Sequence, residues 1–327
     1  MDNKISSLLS SLATNKTCQR TAKTVFMTVL RMVILLSIGY IIIYPLLYMI
    51  TTSIKSVDAY YNTARIWIPT NIGYKHNYSF AAEVIDYWNG LKSTMVYELF
   101  AAAIEVITCS IVAYGFARFK FKLKNVLMAC LFLTILIPET MIIIPRMINY
   151  SKMDVFGILG MFAKFTGVDI RPNLINSPLA FYLPSLCAIG LRSGILTFIY
   201  IQFFKGLPKE LEEAAWVDGA GPIKAFVSIA LPSSGVVFTT VIIFAVIWHW
   251  NDSYLASMYL AEGYPLAVNL ERIHSTLTSF GYYGPSHPLT ISIQMAACVM
   301  FIAPVLIMYM ILQRKFIESI DRVGITG

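Results

Sequence analysis

A group of charged and small residues separates two long apolar runs in the second half of the chain. Lys209 and an acidic group that ends at Glu213 lead into the small pair Ala214-Ala215. Small residues let another backbone approach closely, and flanking acidic and apolar side chains add further contacts. This pattern is typical of a binding surface, and it offers no nucleophile or paired base for catalysis.

A second group consists of ionisable residues inside apolar runs. Glu98, Glu105 and Glu139 lie in such runs, and so does Arg192. If these runs cross a membrane, a lone charge there costs about 2.5–3.5 kcal/mol, so each residue should face protein or water and find a partner. Glu98 and Glu105 are seven residues apart and therefore share a helix face.

Two roles remain open for these intramembrane charges. In the first, Arg192 and Glu105 form an ion pair that fixes helix packing. In the second, they lie on a solute path with Trp250 and Asn251, whose amide can hydrogen-bond a polar solute. The candidate path residues are Glu98, Glu105, Arg192, Trp250 and Asn251.

The common catalytic and cofactor motifs are absent from the sequence. It contains no Gly-x-x-x-x-Gly-Lys-Ser/Thr phosphate loop, no His-Glu-x-x-His helix, no Gly-x-Ser-x-Gly elbow and no Cys-x-x-Cys pair. The four histidines do not have the spacing of a metal site, and His249, between two tryptophans, is expected to be a packed, hydrogen-bonded side chain. We therefore predict a chain that is not an enzyme, with no catalytic residue, metal or cofactor of its own.

Composition indicates a membrane protein. Hydrophobic residues make up 57% of the 327 residues and charged residues 13%, about half of the share in soluble domains. Several apolar runs reach the ~20 residues that a membrane-spanning helix needs. The sequence predicts an all-α polytopic membrane protein with six transmembrane helices, at about 31–50, 94–117, 125–149, 179–204, 234–253 and 294–313. Pro138 and Pro145 are expected to kink the third.

The distribution of basic residues predicts the orientation. The net charge of +7 is concentrated in alternate connections, of which the short run from Arg118 to Lys124 is the clearest. Positive charge in short loops marks the cytoplasmic side, so both termini are predicted to be cytoplasmic. No basic helix with interleaved aromatic residues suggests binding to nucleic acid.

The segment between the fourth and fifth predicted spans should form two short helices. Pro208 suits the first position of a helix, and the acidic residues favour its positive end. Gly219 can close that helix in a left-handed conformation, and Pro222 can open a second helix that reaches Leu231-Pro232. From composition alone, an ordinary amphipathic helix at the membrane surface is an equally good interpretation.

The full spacing favours a more specific interpretation. Glu213-Ala214-Ala215, then Gly219, Ile229 and Leu231-Pro232 resemble the cytoplasmic coupling loop of bacterial ATP-binding-cassette importer permeases. The approach from Gln202 to Glu210, Trp250-Asn251-Asp252 and the tail from Arg322 to Gly327 are similar to maltose-type permeases for carbohydrate uptake. The residues that match the coupling loop and its flanks are Glu210, Glu213, Ala214, Ala215, Asp218, Gly219, Ile229, Leu231 and Pro232.

The resemblance implies a type I importer permease fold and a set of partners. It implies a multi-pass protein of the bacterial cytoplasmic membrane, with a cytoplasmic N-terminal segment (1–30), a permease domain (31–313) with its coupling loop (205–232), and a cytoplasmic tail (314–327). The implied partners are two cytoplasmic ATPase subunits, a second, non-identical permease and an extracellular or periplasmic solute-binding protein. The sequence alone also allows the second permease to be another copy of this chain. The implied function is uptake of a sugar or oligosaccharide, with contact to the ATPase through residues 207–232.

A function from another class also accounts for part of the sequence. An ion-coupled secondary transporter would explain Glu98, Glu105 and Glu139 as an ion path. It would transport without ATP, and it gives no reason for the pattern from Glu213 to Pro232. Dependence of uptake on ATP separates the two hypotheses.

Overall fold

The structure is a computed structural model that describes residues 2–56, 58, 59, 67, 68, 71–154, 157–217, 219–281, 284 and 287–325, with side chains described only between residues 23 and 314. Over these residues the fold is helical, and the β pairing consists of an isolated bridge between Lys55 and Ile72. The helices are α1 (Asp2–Ser53), α2 (Tyr74–Val84), α3 (Tyr87–Ser93), α4 (Phe100–Arg118), α5 (Lys124–Leu136), α6 (Glu139–Ser151), α7 (Ile158–Thr166), α8 (Leu179–Leu186), α9 (Ser193–Gly206), α10 (Glu210–Val217), α11 (Pro222–Ala225), α12 (Leu231–Ser233), α13 (Gly235–Trp250), α14 (Tyr254–Tyr259), α15 (Leu266–Glu271), α16 (Ile273–Ser279) and α17 (Pro288–Ile325). Two π-helical turns, Thr94–Leu99 and Phe226–Ala230, join α3 to α4 and α11 to α12.

Three helical stretches of the described chain are long and apolar enough to cross a membrane unbroken. They are Lys23–Ser53 in α1, Tyr87–Arg118 through α3 and α4, and Pro288–Arg314 in α17. Large apolar side chains on α1 are exposed, and Leu35 and Leu36 are each 70% exposed. Surfaces of this kind are stable against lipid and not against water, which agrees with the predicted membrane location.

Two further pairs of helices reach the required length only when each bent pair is counted as one span. Helices α5 and α6 meet at 103°. Pro138 lies at this bend, in an extended conformation just before α6, and it has no N–H with which to continue the helical ladder. The bend predicted at Pro138 is confirmed, and at 103° it breaks the third span, whereas Pro145 lies inside α6 without interrupting it. The second pair is the stretch Pro222–Ser233 with α13, which meet at 81°.

The fourth predicted span is wrong as a continuous helix. Helix α8 ends at Leu186 and α9 begins at Ser193, so residues 187–192 interrupt the span. Ala188 and Arg192 have φ angles of 55° and 57°, in the left-handed region that a right-handed helix excludes. Length and composition give at most five candidate spans in the described residues, so the predicted count of six is not reproduced.

Helix α4 lies at the centre of the packing. One apolar cluster joins it to α9 and α13 through buried residues such as Val106, Leu196 and Val241. A second cluster, around Phe181 and Tyr259, packs α8 and α14 near the start of α4. A third holds α2, α15 and α17 around Trp250 at the end of α13. The position of α4 brings its polar residues against several other helices.

Candidate functional site

The segment from Gly206 to Ser233 forms the predicted pair of short helices. We call it the coupling segment. The amides of Glu212 and Glu213 bond the carbonyl oxygen of Lys209, both at 3.0 Å. Helix α10 therefore begins at Glu210, and the prediction that Pro208 occupies its first position is wrong by two residues.

The end of α10 and the start of α11 form as the sequence predicts. Gly219 has a φ angle of 80°, and its amide bonds Trp216 O at 3.0 Å. The amide of Ala220 bonds Ala215 O at 2.9 Å, and together the two bonds satisfy carbonyl groups that the helix end leaves open. Pro222 occupies the first turn of α11. Only a residue that tolerates positive φ can turn the chain here.

One side of the coupling segment is anchored to α4 by a buried ion pair. Arg118 Nε, at the end of α4, donates to Glu212 Oε1 at 2.9 Å, and each side chain is 4% exposed. The Nη2 atom of Arg118 also donates to Leu207 O at 2.9 Å. Sequence reasoning missed Glu212 because its partner lies 94 residues earlier in the chain. No local pattern indicates such a contact.

Aromatic packing strengthens the same anchor. The ring of Phe226, in the π-helical turn of the coupling segment, lies 4.9 Å from the ring of Tyr114 on α4 and 6.3 Å from that of Phe204 on α9. Ala225 and Ala230, at the two ends of this turn, are fully buried. Because three helices share these contacts, the inner face of the coupling segment has a fixed position against α4 and α9.

The opposite face of the coupling segment is exposed and largely apolar. Val217 is 88% exposed and Ile223 is 81% exposed. A shallow groove around Ile223 is lined by Gly221, Pro222, Ile223, Lys224, Val227 and Ser228. Exposed apolar patches beside polar residues are typical of protein–protein interaction sites.

Of the nine predicted coupling residues, five are exposed, three are partly buried and one lies outside the described residues. Glu210, Glu213, Ala214, Gly219 and Pro232 are exposed. Ala215, Ile229 and Leu231 are partly buried. Asp218 lies outside the described residues.

A buried polar cluster occupies the centre of the helix packing. His249 Nδ1 lies 2.9 Å from Glu98 Oε2, and His249 Nε2 lies 2.9 Å from Glu105 Oε2. Ser193 Oγ donates to Glu105 Oε1. All four side chains are buried. Glu98 and Glu105 share a helix face, as predicted, and the prediction of a packed, hydrogen-bonded His249 is confirmed.

The two hydrogen bonds of His249 require at least one proton more than a neutral imidazole between two carboxylates would supply. A neutral imidazole donates through one nitrogen and accepts through the other, whereas a carboxylate only accepts. Two hydrogen bonds to two carboxyl groups therefore require an imidazolium ion, a protonated glutamate, or both.

The predicted ion pair between Arg192 and Glu105 is wrong. Arg192 caps the start of α9 and is exposed, and its guanidinium carbon lies 5.1 Å from the centre of the Trp248 ring. Its backbone amide donates to Glu139 Oε1 at 3.2 Å. The break at residues 187–192 is the physical reason, since it removes Arg192 from the middle of a helix and leaves Glu105 to bond His249.

The other path candidates have different environments. Trp250 is buried, and its Nε1 donates to Phe301 O at 3.1 Å. Asn251 is exposed, and its side-chain nitrogen Nδ2 donates to Ile247 O at 2.7 Å. A groove of about 1300 Å³ between α4, α5, α6 and the α8–α9 connection has Arg192, Glu139 and Arg146 among its lining residues. The structure therefore divides the candidates into buried and accessible residues.

No candidate metal centre is found in the part of the chain that the structure describes. His, Cys, Asp and Glu residues there do not come together in threes with a geometry that could hold an ion. The arrangement of the coupling segment and the buried cluster instead supports docking and helix positioning.

The sequence is similar to a known family and to individual transport proteins. The family profile described as "binding-protein-dependent transport system inner membrane component" matches residues 106–322. The melibiose/raffinose/stachyose import permease protein MelC of Bacillus subtilis is 27% identical over 288 residues, which cover 86% of this chain and 91% of MelC. The sn-glycerol-3-phosphate transport system permease protein UgpE of Yersinia pestis is 28% identical over 222 residues, 68% of each chain.

A solved structure shows the same fold. It is a chain of a bacterial ABC transporter involved in the import of the acidic polysaccharide alginate. The TM-score is 0.67 with 18% sequence identity, over 89% of this chain and 96% of that chain. The match covers most of this chain and is not restricted to the coupling segment.

Proposed function

Because the chain belongs to the family of binding-protein-dependent transport system inner membrane components, we propose that it couples solute uptake to a separate ATPase through the coupling segment. Membership makes it a permease subunit of an ABC importer and a multi-pass protein of the cytoplasmic membrane. It also implies an ATPase subunit and a solute-binding protein as partners. The residues that make the contact are the subject of the proposal.

The two faces of the coupling segment carry this proposal. The inner face is fixed by the Arg118–Glu212 ion pair, while the outer face presents Val217 and Ile223 to the surroundings. An apolar face of this exposure is unfavourable in water and becomes stable when a partner covers it. We propose that Glu210, Glu213, Ala214, Ala215, Asp218, Gly219, Ile229, Leu231 and Pro232 form or support the ATPase contact.

We propose that the solute is a sugar or an oligosaccharide. The support is MelC, whose name assigns it melibiose, raffinose and stachyose and which matches 86% of this chain. Of the path candidates, Arg192 and Asn251 are exposed and can meet the solute. Glu98, Glu105 and Trp250 are buried, and we assign them to positioning the helices that border the path.

The topology and the second half of the pore are also proposals. We propose six crossings with both termini cytoplasmic, with residues 187–192 as a break within the fourth. The proposed domain limits remain 1–30, 31–313 and 314–327. Helix α1 continues across the first of these boundaries, and α17 continues across the last. A second permease and two ATPase subunits would complete the complex, because one coupling segment can serve one ATPase. We propose that this second permease is a different chain, with a second copy of the same chain as the alternative.

The decisive experiment changes the charge of the exposed face. Ile223→Asp places a carboxylate where Ile223 is 81% exposed, and Ile68→Asp makes the same change at a side chain that is 73% exposed in a different segment. We expect Ile223→Asp to insert into the membrane but to lose the ATPase during purification, and to lose ATP-driven uptake in proteoliposomes. Ile68→Asp should keep the ATPase.

Retention of the ATPase and of uptake by Ile223→Asp would refute the proposed docking face. The same proteoliposomes test the alternative of an ion-coupled transporter. Uptake driven by a proton or sodium gradient in the absence of ATP would replace the ABC mechanism with that alternative.

A further inference from the structure

Helix α4 is joined to the coupling segment and α13 by polar contacts at both of its ends. At the cytoplasmic end Arg118 bonds Glu212 of the coupling segment. Towards the other end Glu105, and Glu98 in the preceding π-helical turn, both bond His249 on α13. Glu98 and Arg118 are 20 positions apart, which corresponds to ~30 Å of helix at 1.5 Å per residue.

The coupling segment and α13 are consecutive in the chain. The stretch Pro222–Ser233 turns by 81° into α13 near Ser234. A bend of this size allows the coupling segment to change its angle to α13 while α13 keeps its position. Arg118 opposes this freedom, because it bonds both Glu212 Oε1 and Leu207 O and is buried.

Apolar packing between the two polar contacts follows the same path. Phe226 of the coupling segment packs on Tyr114, and Val237 and Val241 of α13 belong to the buried cluster that includes Val106 of α4. Such packing resists separation, but it does not fix the position of one surface along the other. The directional contacts are the ion pair and the histidine hydrogen bonds.

We propose that the Arg118–Glu212 pair makes the coupling segment and α4 move as one body, so that movement imposed on the docking face reaches the Glu98–His249–Glu105 cluster. Arg118 and Glu212 are positioning residues, since they act through α4 and touch neither solute nor nucleotide. The inference rests on the docking proposed above and adds the element that carries the movement.

The test separates transmission from docking. Arg118→Ala and Glu212→Ala each leave one buried charge without its partner, so the folded fraction of each variant is purified first. It is then assembled with the ATPase and the solute-binding protein in proteoliposomes, and the number of solute molecules imported per ATP hydrolysed is measured. We expect the ATPase to remain bound and active, while this ratio falls by about tenfold, within the usual range for energetic coupling between sites. Lys122→Ala, an exposed basic residue near Arg118, is the matched control and should keep the parent's ratio.

Exchange of the two charges provides the specific test. Arg118→Glu combined with Glu212→Arg restores opposite charges, and it should recover part of the ratio that either single change loses. Arg118→Lys should give an intermediate ratio, because lysine keeps the charge but lacks the planar group that bonds Glu212 and Leu207 together.

The possible failures can be distinguished. An unchanged ratio in both alanine variants would overturn the transmission role and leave the docking face intact. Loss of the bound ATPase in these variants, in parallel with Ile223→Asp, would also overturn it, because the pair would then only shape the docking face. If Ile223→Asp itself keeps the ATPase, the failure lies in the proposed docking and not in the pair.

Discussion

The coupling segment and the Glu98–His249–Glu105 cluster both hold buried charged groups against α4, but they differ in how much of each is open to a partner. The coupling segment buries one ion pair and exposes Val217 and Ile223 on its other face. The cluster buries every one of its charged side chains. A surface that is fixed on one side and open on the other suits docking, whereas an enclosed cluster suits the positioning of helices.

The difference also has an energetic consequence. Removal of one partner from an enclosed group of charges leaves the others unpaired in a medium that solvates them poorly. At the coupling segment, the residues of the exposed face are in contact with water whenever the ATPase does not cover them. Changes in the cluster should therefore act first on folding, and changes in the exposed face should act first on coupling.

The largest effect is expected for His249→Ala. This change leaves Glu98 and Glu105 buried without the histidine that bonds both of them, and it should lower the free energy of unfolding by about 3–5 kcal/mol. The thermal unfolding of the purified permease in detergent measures the loss. His274→Ala removes an exposed histidine and should leave the melting temperature unchanged.

A second variant tests whether charge or shape dominates in the cluster. Glu98→Gln combined with Glu105→Gln keeps the size and hydrogen-bonding capacity of both side chains and removes their charge. The melting temperature of this double variant should be closer to that of the parent than the melting temperature of His249→Ala is. If His249→Ala and His274→Ala melt alike, the cluster does not fix the helices, and the contrast with the coupling segment fails.

Sequence reasoning recovered the coupling segment because its signals are local. Gly219 and Pro222 act within one helical turn of their own positions, and the structure shows both in the predicted roles. The kink at Pro138 was recovered for the same reason. Apolar runs gave the all-helical fold and the approximate positions of most of the long helices.

The contacts between distant segments could not be predicted. The partner of Glu105 is His249, 144 residues later, and a charge in an apolar run does not indicate which charge it will meet. The break before α9 depends on left-handed conformations at Ala188 and Arg192, which neither residue type signals. That error produced the wrong pair between Arg192 and Glu105.

An intermediate effect is expected for Gly219→Ala in the coupling segment. An alanine at a φ angle of 80° is strained by about 1–2 kcal/mol, although an added methyl group would meet no other atom within 4 Å. The strain should shift or fray the end of α10 and lower uptake per ATP hydrolysed, with little change in membrane insertion.

The matched control is Gly221→Ala, two residues further along. Gly221 has a φ angle of −74°, which alanine adopts freely, and it also has open space for a methyl group. This variant should keep the parent's uptake, since alanine only reduces the freedom of the unfolded chain. Equal losses in both variants would show that side-chain bulk, rather than backbone conformation, limits the docking face.

The smallest effect is expected for an exposed ion pair that resembles neither region. Asp169 lies in the connection between α7 and α8, 2.8 Å from Arg171 Nη2 and 3.5 Å from Lys152 Nζ. Hydrogen bonds from Arg171 lower the pKa of Asp169 below its ordinary value. A lowered pKa in the folded state stabilises the fold above the ordinary aspartate value of about 3.9, and this contribution is lost as the pH falls below it. Between about pH 5 and pH 8 it is therefore constant.

Because water and salt screen an exposed pair, Asp169→Asn should give no resolvable change in melting temperature across that range. The comparison with His249→Ala then contrasts the loss of a charge at an exposed site with the loss of a whole hydrogen-bonded side chain at a buried one. A fall in the melting temperature of Asp169→Asn comparable to that of His249→Ala would mean that the connection between α7 and α8 is covered in the purified protein. The exposed surface would then have to be assigned to an interface.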